Sequence, residues 1–167
     1  MVIRTNLINL LLSMLPLTRF FSLKARCLRF LGFFVGENTC ITGDVKFYGY
    51  GKFSIGANSW LGIGCKFYIS TNAEVIIGDN CDIAPDVKFV TGSHKIGAAE
   101  RRAGSGYADN IYIGSGSWIG IGTILLPGVV LGEATVVAAG AVVTEGKYPA
   151  NVLLAGVPAK VVKIFEP

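Results

Sequence analysis

The chain holds one histidine, His94, and four cysteines, Cys27, Cys40, Cys65 and Cys81. An imidazole titrates near neutrality, so a lone histidine is the natural general base for taking a hydroxyl proton. One histidine cannot supply a three-histidine zinc site, and no CxxC or other zinc spacing is present, so no metal is expected. The four thiols read as small buried side chains of a reducing compartment. No complete GxGxxG, Walker A, GxSxG or HExxH motif occurs. Ser93 precedes His94 but has no second base to make it a nucleophile. Directly after His94, residues 95–112 read KIGAAERRAGSGYADNIY. Glu100, Arg101, Arg102, Tyr107 and Asp109 there are polar groups able to meet a hydroxylated ligand.

These residues must be held by a scaffold, and the rest of the chain supplies it. Its 167 residues make room for one domain. At 51% hydrophobic and 16% charged, the chain is not disordered. Glycine is abundant, 22 residues, while proline is 6, so many tight turns between short buried strands are implied rather than a linker. The net charge of +4 comes from the N-terminus: Arg4, Arg19, Lys24, Arg26 and Arg29 stand before residue 35 with no acid among them. The remainder is close to neutral, which argues against a nucleic-acid-binding body.

From residue 35 onward apolar residues recur every six positions. Val35, Ile41 and Phe47 begin the series; Ile77, Ile83 and Phe89, then Ile113, Ile119 and Leu125, then Leu131, Val137 and Val143 continue it in one phase. Ile55, Leu61 and Phe67 form a middle set two residues out of phase. An insertion of two before that set and four after it restores the register. Gly36, Gly56, Gly78, Gly114 and Gly132 each follow the first apolar residue of a triplet. A column of small residues stands four after the apolar ones, among them Thr39, Ser59, Cys65, Thr71, Cys81, Ser93, Ser117, Thr123 and Thr135. This pattern fits neither helix nor hairpin. It predicts a triangular solenoid of about five coils, with one short strand per side and the aliphatic column filling the prism. Periodicity leaves the hand of the coil open, and the general rule for crossovers is right-handed. Residues 95–112 interrupt the series and read as a protruding loop.

Residues 1–34 form a separate segment. LINLLLSMLPL, residues 7–17, is too short to span a bilayer. A basic stretch follows it instead of a small-residue cleavage site, so it does not read as a signal peptide. After Pro16 the spacing is helical, with Arg19, Ser22, Arg26 and Arg29 on one face and Phe20, Phe21, Leu23, Leu28, Phe30 and Leu31 on the remainder. Two readings stay open: a basic amphipathic helix on an anionic membrane, or a helix packed on the protein or a neighbouring subunit.

Together these features resemble the hexapeptide-repeat acyltransferases. WIGIGTILLPGVVLGEATVVAAGAVVTEGKYPANVLLAGVPAKVVKI (118–164) is similar to their C-terminal signature, and IGDNCDIAPDVKFVTGSH (77–94) to their catalytic coil. The resemblance covers residues 35–164 and implies an all-β fold, a left-handed parallel β-helix with a short N-terminal helical segment. It implies His94 as catalytic base, direct acyl transfer from acetyl-CoA, and an oxyanion held by the backbone amide of Ile121. Trp118, Ile121, Ala139 and Thr144 match positions along the pantetheine groove. Lys160 and Lys163 match basic residues near the CoA phosphates. Asn72 matches an acceptor-binding Asp, and Arg101, Arg102 and Tyr107 of the loop join it as acceptor-binding candidates. Two departures stand out: Gly64 where galactoside enzymes carry an acceptor-contacting Asn, and Glu145 where a Lys is usual.

The resemblance further implies a homotrimer with CoA between adjacent prisms. The expected activity is O-acetylation of a sugar hydroxyl in surface polysaccharide biosynthesis, in the cytoplasm, with association to the inner face of the membrane left open. Two alternatives remain: an N-acetyltransferase for a nucleotide-linked amino sugar, for which 34 residues are short as a nucleotide-binding domain, and a non-catalytic trimeric scaffold.

Overall fold

The computed structural model describes residues 2–166. Two helices, α1 (Val2–Met14) and α2 (Phe21–Phe30), precede a prism of short strands. Each coil contributes one strand to each of three faces. The first face stacks Phe34–Val35, Lys52–Ile55, Glu74–Ile77, Ile111–Ile113, Val129–Leu131 and Gly146–Tyr148. The second stacks Cys40–Ile41, Trp60–Leu61, Asp82–Ile83, Trp118–Ile119, Val136–Val137 and Val152–Gly156. The third stacks Lys46–Gly49, Lys66–Ile69, Lys88–Val90, Ile124–Leu125 and Val142–Val143. Five coils are therefore complete. A sixth stops after two sides, where Ala159–Ile164 folds back antiparallel to Val152–Gly156 and closes that end.

The six-residue register holds through the prism. Val35 pairs with Ile55, Ile55 with Ile77, Ile77 with Ile113 and Ile113 with Leu131, all in parallel. The fifteen apolar positions of the repeat all lie in the core. Burying each large aliphatic side chain stabilises by about 1.5–3 kcal/mol. On the third face the column is aromatic in the first three coils. Phe47 stacks on Phe67 at 5.0 Å and Phe67 on Phe89 at 4.6 Å, with Phe53 edge-on to Phe67.

The glycine and small-residue columns have separate physical causes. At Gly36 a side chain would run into the backbone of Gly56 and Ala57, and at Gly114 a Cβ would come within 2.5 Å of Glu133 N. Only glycine fits where successive coils approach this closely. The small column does more than avoid clashes. Thr39 Oγ1 donates to Gly56 O and accepts from Ser59 N, and Ser59 Oγ in turn accepts from Cys81 N. Ser117 and Thr135 continue this hydroxyl ladder by donating to Gly114 O and Gly132 O. These bonds satisfy buried corner groups that would otherwise cost about 1–3 kcal/mol each. Thr71 and Ser93 leave the column. Ala73 and Thr91 take the buried places instead, 5% and 0% exposed, because the chain bulges between coils there.

The helices close the other end of the prism. Ile8 and Leu12 of α1 and Ala25 and Leu28 of α2 join the same core. Asn9 acts as a substitute strand: its side-chain amide donates to Phe47 O at 2.8 Å and accepts from Phe47 N at 2.9 Å. The unpaired edge of the first coil is thereby capped. The segment thus packs on its own chain. Its inward face differs from the expected one: α2 buries Lys24, Ala25 and Leu28, while Leu23 and Phe30 face out. Lys24 Nζ donates to Pro16 O and Leu17 O, and burial lowers its pKa. Arg29 is also committed internally, to Val35 O and Gly36 O. No helix among the described residues is long and apolar enough to cross a membrane.

The break expected at 95–112 is an antiparallel hairpin, Gly92–Ile96 against Ala103–Ala108. Ile111 and Tyr112 are already part of the next coil, paired with Val75 and Ile76.

Candidate active site

His94 sits mid-strand in the first arm of this hairpin, opposite Gly106. It is exposed, and its ring makes no hydrogen bond among the described residues. The absence of a side chain at Gly106 keeps the imidazole accessible: a Cβ there would stand 3.8 Å from Nε2. His94 opens onto a groove of ≈ 520 Å³ that Asn72 and Tyr107 also line, with Ser70, Thr71 and Ser93. Three of the residues expected at the site therefore meet in one place. Ser70 and Thr71 were not singled out as site residues beforehand, although the four-residue insertion that carries them was visible in the repeat. Arg101 and Arg102 do not line this groove. They sit at the exposed hairpin tip, where Arg102 donates from Nη1 to Gly97 O at 3.2 Å.

The turn that carries Asn72 is tightly built. Ala73 N–H donates to Ser70 O at 3.0 Å, and Ser70 N–H to Thr91 Oγ1 at 2.8 Å. Thr71 and Asn72 project from it with side chains that bond to nothing among the described residues.

The residues expected along the acyl-donor groove occupy a different edge. Trp118 is 57% and Ile121 51% exposed. Ile121 lies in the turn between the second and third faces, and Ala139 lies in the same turn one coil on, where Gly140 N–H donates to Ile121 O at 2.8 Å. The amide N–H groups of Ile121 and Ala139 donate to nothing among the described residues. Beside them the chain is open: a Cβ at Gly122 or Gly140 would meet no atom within 4 Å. Free turn amides on an open shelf suit a thioester carbonyl and a pantetheine chain. Thr144 stands half-buried past the other end of the third face, and its carbonyl accepts from Tyr148 OH at 3.0 Å. Lys160 and Lys163 are exposed on the antiparallel closing strand, opposite Ala155 and Leu153. Leu126, after the third-face strand of the same coil, is half-buried.

His94 lies beyond the far end of the third face, and Ile121 lies at its near end. One chain does not bring the expected base and the expected oxyanion amide together. No cysteine lines the His94 groove, and Cys27 and Cys40 are only partly buried rather than buried as expected. Cys65 and Cys81 are buried, and burial pushes the Cys65 thiol up to about 12.

A model of the bacterial transferase hexapeptide (six repeats) matches residues 110–145. Over 140 residues the chain is 32% identical to the putative colanic acid biosynthesis acetyltransferase WcaF of Escherichia coli, which covers 84% of this chain and 74% of that protein. The chain belongs to the hexapeptide-repeat acyltransferase family. This family member is also 36% identical over 135 residues to galactoside O-acetyltransferase of Escherichia coli, covering 77% of the chain but only 62% of that relative's length. Among solved structures, a galactoside acetyltransferase in complex with coenzyme A superposes with a TM-score of 0.81 at 27% identity, over 98% of this chain and 80% of that one. The fold of this hexapeptide-repeat member is the left-handed parallel β-helix, against the general right-handed rule.

Proposed function

We propose that the chain is an acetyl-CoA-dependent O-acetyltransferase that modifies a sugar hydroxyl during surface polysaccharide assembly. The observation that carries this reading is the exposed His94 in one polar groove with Asn72 and Tyr107. Kinship with proteins named galactoside O-acetyltransferase and colanic acid biosynthesis acetyltransferase supports the substrate class.

In this mechanism His94 takes the proton from the acceptor hydroxyl as its oxygen attacks the thioester carbonyl. The Ile121 N–H donates to the developing oxyanion, a contact typically worth about 3–4 kcal/mol in the transition state. Collapse expels the CoA thiolate, His94 returns the proton, and no acyl-enzyme forms. Trp118 and Ala139 flank the donor on one subunit, Thr144, at the opposite end of the face, meets it from the neighbour that supplies His94, and Lys160 and Lys163 meet its phosphates. Because His94 and Ile121 lie at opposite ends of one face, the reaction requires them to come from neighbouring subunits, which favours a homotrimer. Arg101 and Arg102, at the hairpin tip, then reach the acceptor across the same boundary.

The test is free-thiol release from acetyl-CoA with a panel of sugars. The parent should release thiol only with acceptor, and His94→Ala should lose about 10²–10⁴-fold. Release that survives the substitution removes His94 from the mechanism.

The helical cap supports a cytoplasmic placement at the inner face of the membrane. Leu10, Met14, Leu17, Phe20 and Phe30 are all about half-exposed or more, Phe30 at 90%. Arg19 and Arg26 stand among them exposed, in a segment without an acid. Apolar side chains interspersed with cations suit an anionic bilayer surface. The parent should float with anionic vesicles and a Phe20→Ser/Phe30→Ser variant should not; equal flotation rejects the contact.

A further inference from the structure

All of the extra residues in the repeat lie at one corner, between the third and first faces. The pairings Val35–Ile55, Ile55–Ile77 and Ile77–Ile113 place the short insertion at Tyr50–Gly51, the longer one at Ser70–Ala73, and the hairpin at Gly92–Ala108 in successive coils. At the same corner the next coil is tight, Leu125 being followed by Val129–Leu131 after a three-residue turn. The other two corners carry no insertion. The result is a staircase that rises from the helical cap to His94.

A chain of adjoining hollows runs along it. The His94 groove shares Thr71 and Asn72 with a second hollow of ≈ 390 Å³, also lined by Lys52, Glu74 and Asn110. That one shares Lys52, Thr71 and Glu74 with a third of ≈ 480 Å³, which ends at Phe34 and Tyr50. Two coil steps of about 4.8 Å separate the first coil from the third, so the hollow extends about 10 Å beyond the His94 hairpin.

Its floor is fixed and its walls are free. Asn110 Oδ1 accepts from Glu74 N–H at 2.9 Å, while its Nδ2 donates to Tyr112 OH at 2.8 Å, so this side chain stitches two coils together under the hollow. Lys52 and Glu74 face each other in register but form no ion pair within 4.0 Å among the described residues. The side chains of Lys52, Thr71, Asn72 and Glu74 make no hydrogen bond among the described residues. At the far end Tyr50 and Phe34 expose 40% and 66% of their surface. Unsatisfied donors and acceptors over aromatic rings match the two faces of a sugar, its hydroxyls and its C–H side.

We infer that this hollow holds the sugar units next to the one acetylated at His94, so that the acceptor is an oligosaccharide or polymer rather than a free monosaccharide. The inference rests on the O-acetyltransferase reading. The reactive unit meets His94, Asn72 and Tyr107; the next unit lies between Lys52 and Glu74; a further one stacks on Tyr50.

The test uses linear gluco-, galacto- and manno-oligosaccharides of one to four units with the full chain. For the accepted sugar, kcat/KM should rise at least tenfold from one unit to four, mainly through KM. In Tyr50→Ala and in Glu74→Gln, both with parental melting, the four-to-one ratio should fall towards unity. A flat ratio in the parent overturns the inference, and so does a steep ratio that both variants keep. If no acceptor releases thiol, the acetyl-transfer reading fails by itself, and amide-resonance titration of His94→Ala with the tetrasaccharides decides the groove. Shifts at Lys52, Thr71 and Glu74 that saturate at lower concentration than with monosaccharide keep it. No shift with any tetrasaccharide rejects it.

Discussion

The two ends of the third face are built to opposite rules. At the near end, where Ile121 and Ala139 lie, the turns keep one length from coil to coil, and the fourth and fifth coils leave the Ile121 and Ala139 amides without a partner among the described residues. At the far end the chain departs from the repeat in three consecutive coils and presents side chains, His94 and Asn72 among them. A uniform stack of turns suits a long linear ligand met through backbone. A varied stack suits a ligand that must be told from its isomers, because only side chains and turn lengths can differ from coil to coil. Between them the first three coils are filled by the stacked rings of Phe47, Phe67 and Phe89.

That contrast can be broken at either end. The largest effect is expected at the varied end: His94→Ala should lower acetyl transfer about 10²–10⁴-fold in a thiol-release assay while the melting temperature stays put. A comparable loss from Asn110→Ala with intact melting would show that the floor of the hollow matters as much as the base. The prism comes next. Phe67→Ala should cost about 3–5 kcal/mol in denaturant unfolding, since its ring touches Phe47, Phe53 and Phe89. Val143→Ala, which removes two carbons from the aliphatic fifth coil, should cost less, about 1.6 kcal/mol plus a cavity term. Equal losses would mean the aromatic column has no special part in filling the prism.

Asn9→Ala should cost about 1–3 kcal/mol by the same measurement, because it leaves Phe47 N and O without partners at the capped end. The smallest effect is a pH dependence. The Cys65 thiol titrates near 12 in the folded chain and near 9.0 unfolded. Above pH 9 the unfolded chain therefore binds fewer protons, so stability falls as pH rises towards 12, by about 1.4 kcal/mol at pH 10. Cys65→Ala should flatten that slope. A slope unchanged by the substitution would mean the thiol ionises as readily folded as unfolded.

Much of this was legible beforehand, for a physical reason. A solenoid makes every coil solve the same packing problem, so its inward positions, its close-approach glycines and even its interruptions print a period into the chain. His94 stood out because it was alone and because the period broke beside it. The hydroxyl ladder of Thr39, Ser59, Ser117 and Thr135 was half visible: their small size showed, but their bonding did not, since a donor's partner lies one coil away in space.

The helical cap was the least legible part. The spacing put Arg19, Ser22, Arg26 and Arg29 on one face and assigned Lys24 to neither face, and Lys24 turned inward to the carbonyls of Pro16 and Leu17. A buried lysine with two backbone acceptors cannot be told from an exposed one by its spacing, because its partners are set by how the preceding helix ends. The acceptor side behaves likewise. The repeat showed insertions of different lengths, but only three-dimensional stacking put them on one corner and joined Thr71, Asn72, Lys52 and Glu74 into one hollow. Period alone thus determined the prism and its core, because local burial is repeated identically in every coil. Which side chains share a groove, and that His94 and Ile121 stand at opposite edges, was decided by tertiary structure, because residues far apart in the chain meet only once the coils are stacked.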